Sequence, residues 1–521
     1  MKTMASRRRF LSQVGQGMLI ASVGYEAAVE IGLAPAGAAE KPDSLMFGPL
    51  EPLVALMQET PTNRLLPVLV ERLRSGTTLR DLVAAGALAN ARTFGGEDYV
   101  GFHTVMALAP AFHMAAELPE AQRPLPILKV LYRNNLRIQE VGGRKAEVLR
   151  MVQPAAAAPH SAGAEMLRAA ARGKDVDQAE RTFAALARGQ AGDAFNDLLW
   201  TVQDNTDVHR VVLPYRSWDL LDLIGHEHAH TLLRQSLRFC VKSERTGRHN
   251  AQMDEPRTLL PKLLDQYQLV GRPAGTRAAD RAWVEEMSKT IFESSPAAAA
   301  DAAAAALAEG MTYDAVGEAI SLAANQLILR DVGRTARQVL PYKPQGSVHG
   351  DSIGVHACDS ANAWRNMVRA CDRRNAVASL ILGAYQVALD RVDRGGDFLH
   401  WQPWPHAEHL EQVRQVAADN LLAETESAIR ANDQARACAL VYRYGELDRP
   451  ARPVFELLLR YAVSEDGALH AEKYYRTVAE EFASTRGEFR WRQLVALARV
   501  TASEYGRPAA GYAESRDLLK V

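Results

Sequence analysis

At 521 residues the chain is long enough for one large domain or two to three ordinary ones, with a sizeable core. Its 61 basic and 62 acidic side chains cancel to a formal charge of -1, which removes any bulk electrostatic argument for nucleic acid or for an anionic membrane as a partner. The 4 cysteines include no Cys-x-x-Cys, which excludes a haem c attachment motif and a zinc ribbon.

The first stretch, "SRRRFLSQVGQGMLIASVG", carries Arg7 and Arg8, then Phe10, Leu11 and a mildly apolar run. It resembles a twin-arginine export signal over residues 1–39, with Ala36-Gly37-Ala38 as the small-residue cleavage site. The implied partner is the export machinery and the implied location periplasmic or secreted. That route carries folded proteins, many with a cofactor already inserted. No later stretch approaches the ~20 apolar residues that span a bilayer, so no transmembrane anchor is expected after processing.

Beyond the signal, apolar residues recur at three and four spacing, alanine and leucine abound, and alternating β-branched runs are nearly absent. The fold class expected is all-α. "VHRVVLPY" (208–215) reads as the one isolated extended piece, whereas "SSPAAAADAAAAALAEG" (294–310) reads as a helix capped by Ser295 with Pro296 in its first turn. Three segments align on Gly76, Gly189 and Gly310, each with leucine three residues earlier (Leu73, Leu186, Leu307). The pattern predicts a helix ending on a left-handed glycine, followed by a second helix. Downstream of each lies an aspartate followed by a histidine: Asp98 and His103, Asp222 and His226, Asp351 and His356. A degenerate fourth copy places Asp466 and Gly467 before His470. The organisation expected is large helical-hairpin repeats, three with a fourth degenerate one, packed around a central pocket. Two units fall in 45–295 and the rest in 296–521, as one continuous body. The three aspartates are expected as helix caps or dipole partners.

In "DLIGHEHAHTLL" (222–233), His226 and His230 lie four residues apart, a spacing that on one helix lets two imidazoles grip a single divalent ion. If the repeats bring helix starts together, His103 and His356 join them as further metal ligands. Glu227 and His228 are the expected catalytic groups, Glu227 as ligand or general base. Iron, zinc and copper all suit such a donor set. His113, His160, His209, His249, His406 and His409 are read as ordinary hydrogen-bonding side chains, and His349 and His470 are weighted toward the same reading. In "FLHWQPWPHAEH" (398–409), Trp401 and Trp404 are expected to pack beneath their own loop.

Two resemblances bear on function. "LIGHEHAHTL" resembles the zinc helix of the zincin peptidases, which implies His226 and His230 as ligands and Glu227 as general base. "VHGDSIGVHACDSANAWR" (348–365) is similar to the His-Gly-x5-His-Ala signature of questin oxidase-like proteins, with His349, Gly350, His356 and Ala357 matching. "HAHTLLRQSLR" (228–238) and "EDGALHAEKYYRTV" (465–478) resemble histidine-bearing helices of that mostly helical family. This second resemblance implies an oxidoreductase acting on an aromatic or polyketide-like molecule, with NADPH as reductant. The favoured expectation is a metal-dependent oxidoreductase of a small organic substrate. The alternatives are a zinc metallopeptidase and a non-catalytic helical repeat scaffold.

Overall fold

The computed structural model describes residues 44–155, 160–246 and 254–521; the expected export signal lies outside them. The described chain is helical, without a β-strand, as the periodicity predicts. In chain order α1 (Glu51–Glu59), α2 (Thr62–Arg74), α3 (Leu79–Phe94), α4 (Tyr99–Glu117) and α5 (Pro124–Glu140) come first. They are followed by α6 (His160–Arg172), α7 (Val176–Leu186), α8 (Ala191–Val202), α9 (Val208–Ile224), α10 (Ala229–Thr246) and α11 (Pro256–Gln266). Next stand α12 (Arg281–Glu293), α13 (Pro296–Ala308), α14 (Tyr313–Leu329), α15 (Ile353–Ala370) and α16 (Arg373–Arg394). The C-terminal part holds α17 (Ala407–Val413), α18 (Leu421–Arg430), α19 (Gln434–Glu446), α20 (Arg452–Ser464), α21 (His470–Ser484), α22 (Gly487–Glu504) and α23 (Tyr512–Leu519).

Helix boundaries follow local chemistry. Thr78 and Asp81 form a reciprocal capping box at the start of α3, and Gly95, in the left-handed region at φ 56°, ends it. Asp98 then caps α4 by accepting the Gly101 N–H at 2.8 Å. Ser295 caps α13 ahead of Pro296, so the alanine-rich segment is the helix its propensities specify.

The helix–glycine–helix pattern is present at all three aligned positions. Gly76 (φ 97°) and Gly310 (φ 85°) are left-handed, as expected; Gly189 is outside that region. The Asp–His element holds in two places, opening α4 at Asp98 and preceding α15 at Asp351. It fails at the third. Asp222 and His226 fall at the end of α9, because that helix begins earlier, at an Asp207 cap that accepts from the His209 and Arg210 N–H groups. The same cap makes "VHRVVLPY" the first turns of α9, not an extended strand. Asp351 is not a cap either: it accepts from Arg334 and Lys343, and Ser352 caps α15.

Four helices form a closed inner ring. Helix α4 packs on α9, α9 on α15, α15 on α21, and α21 back on α4. Outside them α3 and α5 cover α4, α10 covers α9, α14 and α16 cover α15, and α22 covers α21. The apolar core runs continuously between these layers from Phe47 to Ala502.

Inside the ring the chemistry is polar. Asp359, Asn362, Lys473, Glu481 and Arg216 are all buried. Arg365 donates to Glu481 at 2.6 Å, and Asn362 donates to the other oxygen of Glu481 at 2.9 Å. Thr477 donates to Asp359 at 2.8 Å. Buried ions stay folded only when such partners are complete. Removing one partner by Arg365→Met is therefore expected to cost about 3–5 kcal/mol in denaturant unfolding. A loss below about 1 kcal/mol would show that the pair does not hold the ring.

Candidate functional site

Each inner helix carries a histidine in its first turns: His103 on α4, His209 on α9, His356 on α15 and His470 on α21. Because all four helices start at the same end of the ring, these imidazoles meet. Neighbouring ring centroids lie 4.9 Å apart for His103 and His209, and 5.8 Å for His209 and His356. The square closes with 5.1 Å between His356 and His470 and 5.0 Å between His470 and His103. His356 Nε2 and His470 Nε2 face each other at 3.0 Å.

Outer contacts set which nitrogens carry the proton. His103 Nδ1 meets the Tyr99 carbonyl oxygen at 2.7 Å, so that nitrogen carries the proton and Nε2 keeps its lone pair. His209 Nδ1 is 3.4 Å from the Asp207 carboxylate, an arrangement that fixes the tautomer in the same sense. The Nε2 atoms of His103 and His209, and Nδ1 of His470, are buried with no hydrogen-bond partner. Native interiors usually supply such atoms with a partner, an ordered water or an ion included.

Burial keeps three of these rings neutral. Burial holds the His103 and His470 imidazoles well below the ordinary value, and burial takes His356 down to about 3. Lys473, one turn along α21, disfavours a second positive charge at each of them. Four helix N-termini act in the same direction, since the positive end of each macrodipole opposes an imidazolium. Lys473 itself is buried and pushed down to about 8 by that burial, while Asp359 pulls the other way. A neutral imidazole is the form that coordinates metal.

A narrow cleft lies alongside, lined in part by Tyr342, Lys343, His349, Asp351, Glu504 and Arg507. Glu504 Oε1 accepts the Gly350 N–H at 2.8 Å, and burial raises its carboxyl to about 7. Two glycines admit it. A Cβ on Gly350 would stand 2.5 Å from His470 Cβ and 2.9 Å from Glu504 Oε1, and one on Gly467 would stand 3.0 Å from Glu504 Oε2. The glycines of "VHGDSIGVH" and "EDGALH" thus let a carboxyl and an imidazole approach.

Of the sequence-predicted ligands, His103 and His356 belong to this square. His226 and His230 do not share one helix, because Gly225 (φ 119°) breaks the chain and a short 3-10 turn, His226–His228, precedes α10. The His226 side chain is 48% exposed and meets Asp222 Oδ1 at 3.0 Å. His230 stacks on Phe183 at 5.9 Å, and burial lowers it to about 4. No described ring contact joins either one to His103 or His356. Glu227 is 73% exposed, with His228 Nε2 4.0 Å away, and no described contact joins either to the inner ring's histidines. His209 and His470, read from sequence as ordinary, take the vacated places. Their signal was the helix start itself: Asp207 before His209, Asp466 and Gly467 before His470.

Among the described residues, one group brings three potential ligand atoms within 4.8 Å of one another: His406, Glu408 and His409. One nitrogen of each imidazole is engaged, His406 Nε2 meeting the Gln402 carbonyl at 3.3 Å. His409 Nδ1 accepts the His406 N–H at 3.1 Å, in a cap that opens α17. Trp404 lies over buried Arg499 at 3.8 Å, and Trp401 packs on Phe398 at 4.9 Å, as expected for aromatics under their own loop. The four cysteines are free.

Histidines held neutral in the folded state bind protons only on unfolding. Their stabilisation is complete above about pH 6.5 and is lost as pH falls toward their depressed folded values, since the unfolded chain then binds more protons. The melting temperature is therefore expected to drop steadily between about pH 6.5 and 4, at up to about 1.4 kcal/mol per pH unit for each ring involved. His356→Gln should flatten that slope; an unchanged slope would contradict the burial assigned to His356.

Compared with known proteins, the chain matches no family model, and no curated protein or solved structure is similar to it.

Proposed function

We propose that the four-histidine square holds a transition-metal ion and that the protein is a metal-dependent oxidoreductase acting on a small organic molecule. One observation carries the reading: imidazoles from four different helices meet at one end of the ring, and His103 Nε2, His209 Nε2 and His470 Nδ1 are buried without a hydrogen-bond partner. The 3.0 Å between His356 Nε2 and His470 Nε2 is the spacing of two nitrogens bound at about 2.0–2.1 Å to one ion with a ligand angle a little above 90°. His103 and His209 complete the shell by turning their rings inward. The Tyr99 carbonyl and Asp207 are the outer contacts that metal-bound histidines usually have.

An all-imidazole set suits iron, copper or zinc. Oxidation is favoured over hydrolysis because Glu227, the general base of the peptidase reading, stands exposed on a different element from the square. Glu504, with a carboxyl near 7 between His470 and the cleft, is the group placed to exchange a proton with a substrate there. The scaffold reading leaves the orphaned inward nitrogens without a purpose. The N-terminal twin-arginine pattern supports export to the periplasm with the metal already bound.

Elemental analysis of natively exported protein tests this. Close to one equivalent of iron, copper or zinc is expected, falling at least tenfold in His356→Ala/His470→Ala while His226→Ala and Glu227→Gln retain it. Metal-free folded protein, or metal that survives the double change, would overturn the proposal.

A further inference from the structure

The segment between Asp331 and Asp351 runs over the end of the molecule that holds the cleft, and its tip is unusual. Thr335 through Tyr342 are eight consecutive exposed residues. Four of them in a row, Val339-Leu340-Pro341-Tyr342, are apolar, with Leu340 52% and Tyr342 68% exposed. Scattered surface apolar side chains need no explanation, whereas a contiguous run on a protrusion does.

The tip is a tight turn whose Tyr342 ring rests against the Arg507 guanidinium at 5.6 Å. Leu340 and Lys343 exchange backbone hydrogen bonds at 3.2 and 2.9 Å, and Tyr342 takes a left-handed φ of 63° to make that turn. Below it the neck is fastened. The Arg334 N–H donates to Ser347 O at 3.1 Å and the Gly346 N–H to Arg334 O at 2.8 Å. A Cβ on Gly333 would stand 2.3 Å from the Gly346 backbone, so the two strands of the neck touch. Asp351 ties down Arg334 and Lys343 at 2.8 and 2.6 Å.

Charge points the same way. Between Gly333 and Gly350 the segment carries Arg334, Arg337 and Lys343 and no acidic residue. Arg337 stands exposed beside the apolar run, whatever the near-zero charge of the whole chain.

We propose that this tip is a lipid-docking element: Val339, Leu340, Pro341 and Tyr342 enter the headgroup region of an anionic bilayer while Arg337 meets its phosphates. A protein partner fits less well, because four side chains on one turn offer roughly a few hundred Å², against about 800 Å² per side in a stable interface. A bilayer needs no matching surface, only apolar area and opposite charge. Tyr342 and Lys343 also line the cleft beside His349 and Glu504, so docking would turn the cleft toward the lipid. Docking does not depend on whether the histidine square binds metal.

Sedimentation of the mature full chain with vesicles tests this, using phosphatidylcholine alone and phosphatidylcholine mixed with phosphatidylglycerol. Bound protein is expected to be about tenfold higher on the anionic vesicles. Leu340→Asp/Tyr342→Asp should abolish the binding, and Arg337→Glu should lower it about fivefold or more. All of these positions are exposed, so helical circular dichroism should be unchanged, which keeps loss of binding distinct from loss of fold. No enrichment on either vesicle would overturn the proposal, as would binding that survives the double change. Concentration-dependent self-association removed by that change would instead assign the tip to a second copy of the chain.

Discussion

The structure depends on four parallel helix starts converging on one point. A helix N-terminus has unsatisfied N–H groups and a partial positive charge, so setting four side by side is unfavourable unless something accepts that field. Here the near ends are supplied with side-chain caps, Asp98, Asp207 and Ser352, and the space between them is filled by imidazoles. Imidazole suits the place because it is the one polar ring that gives a donor to an outer carbonyl or carboxylate and still offers a lone pair inward. Alanine there would leave a void, and lysine would add charge to an already positive region.

The same constraint explains why the interior of the inner ring continues as polar chemistry. Below the histidines come Lys473 and Asp359, then Thr477, Arg216 and Asn362, then the Arg365–Glu481 pair, each buried. An apolar filling of similar volume would give at least equal stability. A buried ionic column directly beneath four imidazoles, three of them with an unpartnered nitrogen, is economical only if the region handles charge. Lys473, held near 8, gives the site a cation whose proton is exchangeable close to neutral pH. Glu504 gives it a carboxyl near 7 on the cleft side.

The all-α class was legible because period-3.6 patterning and alanine content are local signals. So was the idea that histidines gather where helices begin, and His103 and His356 follow from it. The second unit misled because "GHEHAH" is conspicuous and Asp207-Val208-His209 is not. The apparent extended character of "VHRVVLPY" also concealed a helix start, since β-branched residues lower helix propensity without forbidding it. Which face of α21 is buried was equally hidden. Its stripe His470, Lys473, Thr477, Glu481 reads as a solvated face, and only packing against α4 and α15 shows that it lies inside. Cleft residues such as Glu504 carry no motif at all. They come into place because Gly350 and Gly467 let the last turn of α22 reach the first turn of α21.

X-ray absorption at the edge of the proposed metal addresses the central claim most directly, because it counts and identifies the atoms around the ion. Three to four imidazole nitrogens at about 2.0–2.1 Å are expected, with their outer-ring scattering clearly reduced in a His103→Ala protein. A first shell made of oxygen alone, or an imidazole signal untouched by that change and lost instead with His406 and His409, would contradict the account.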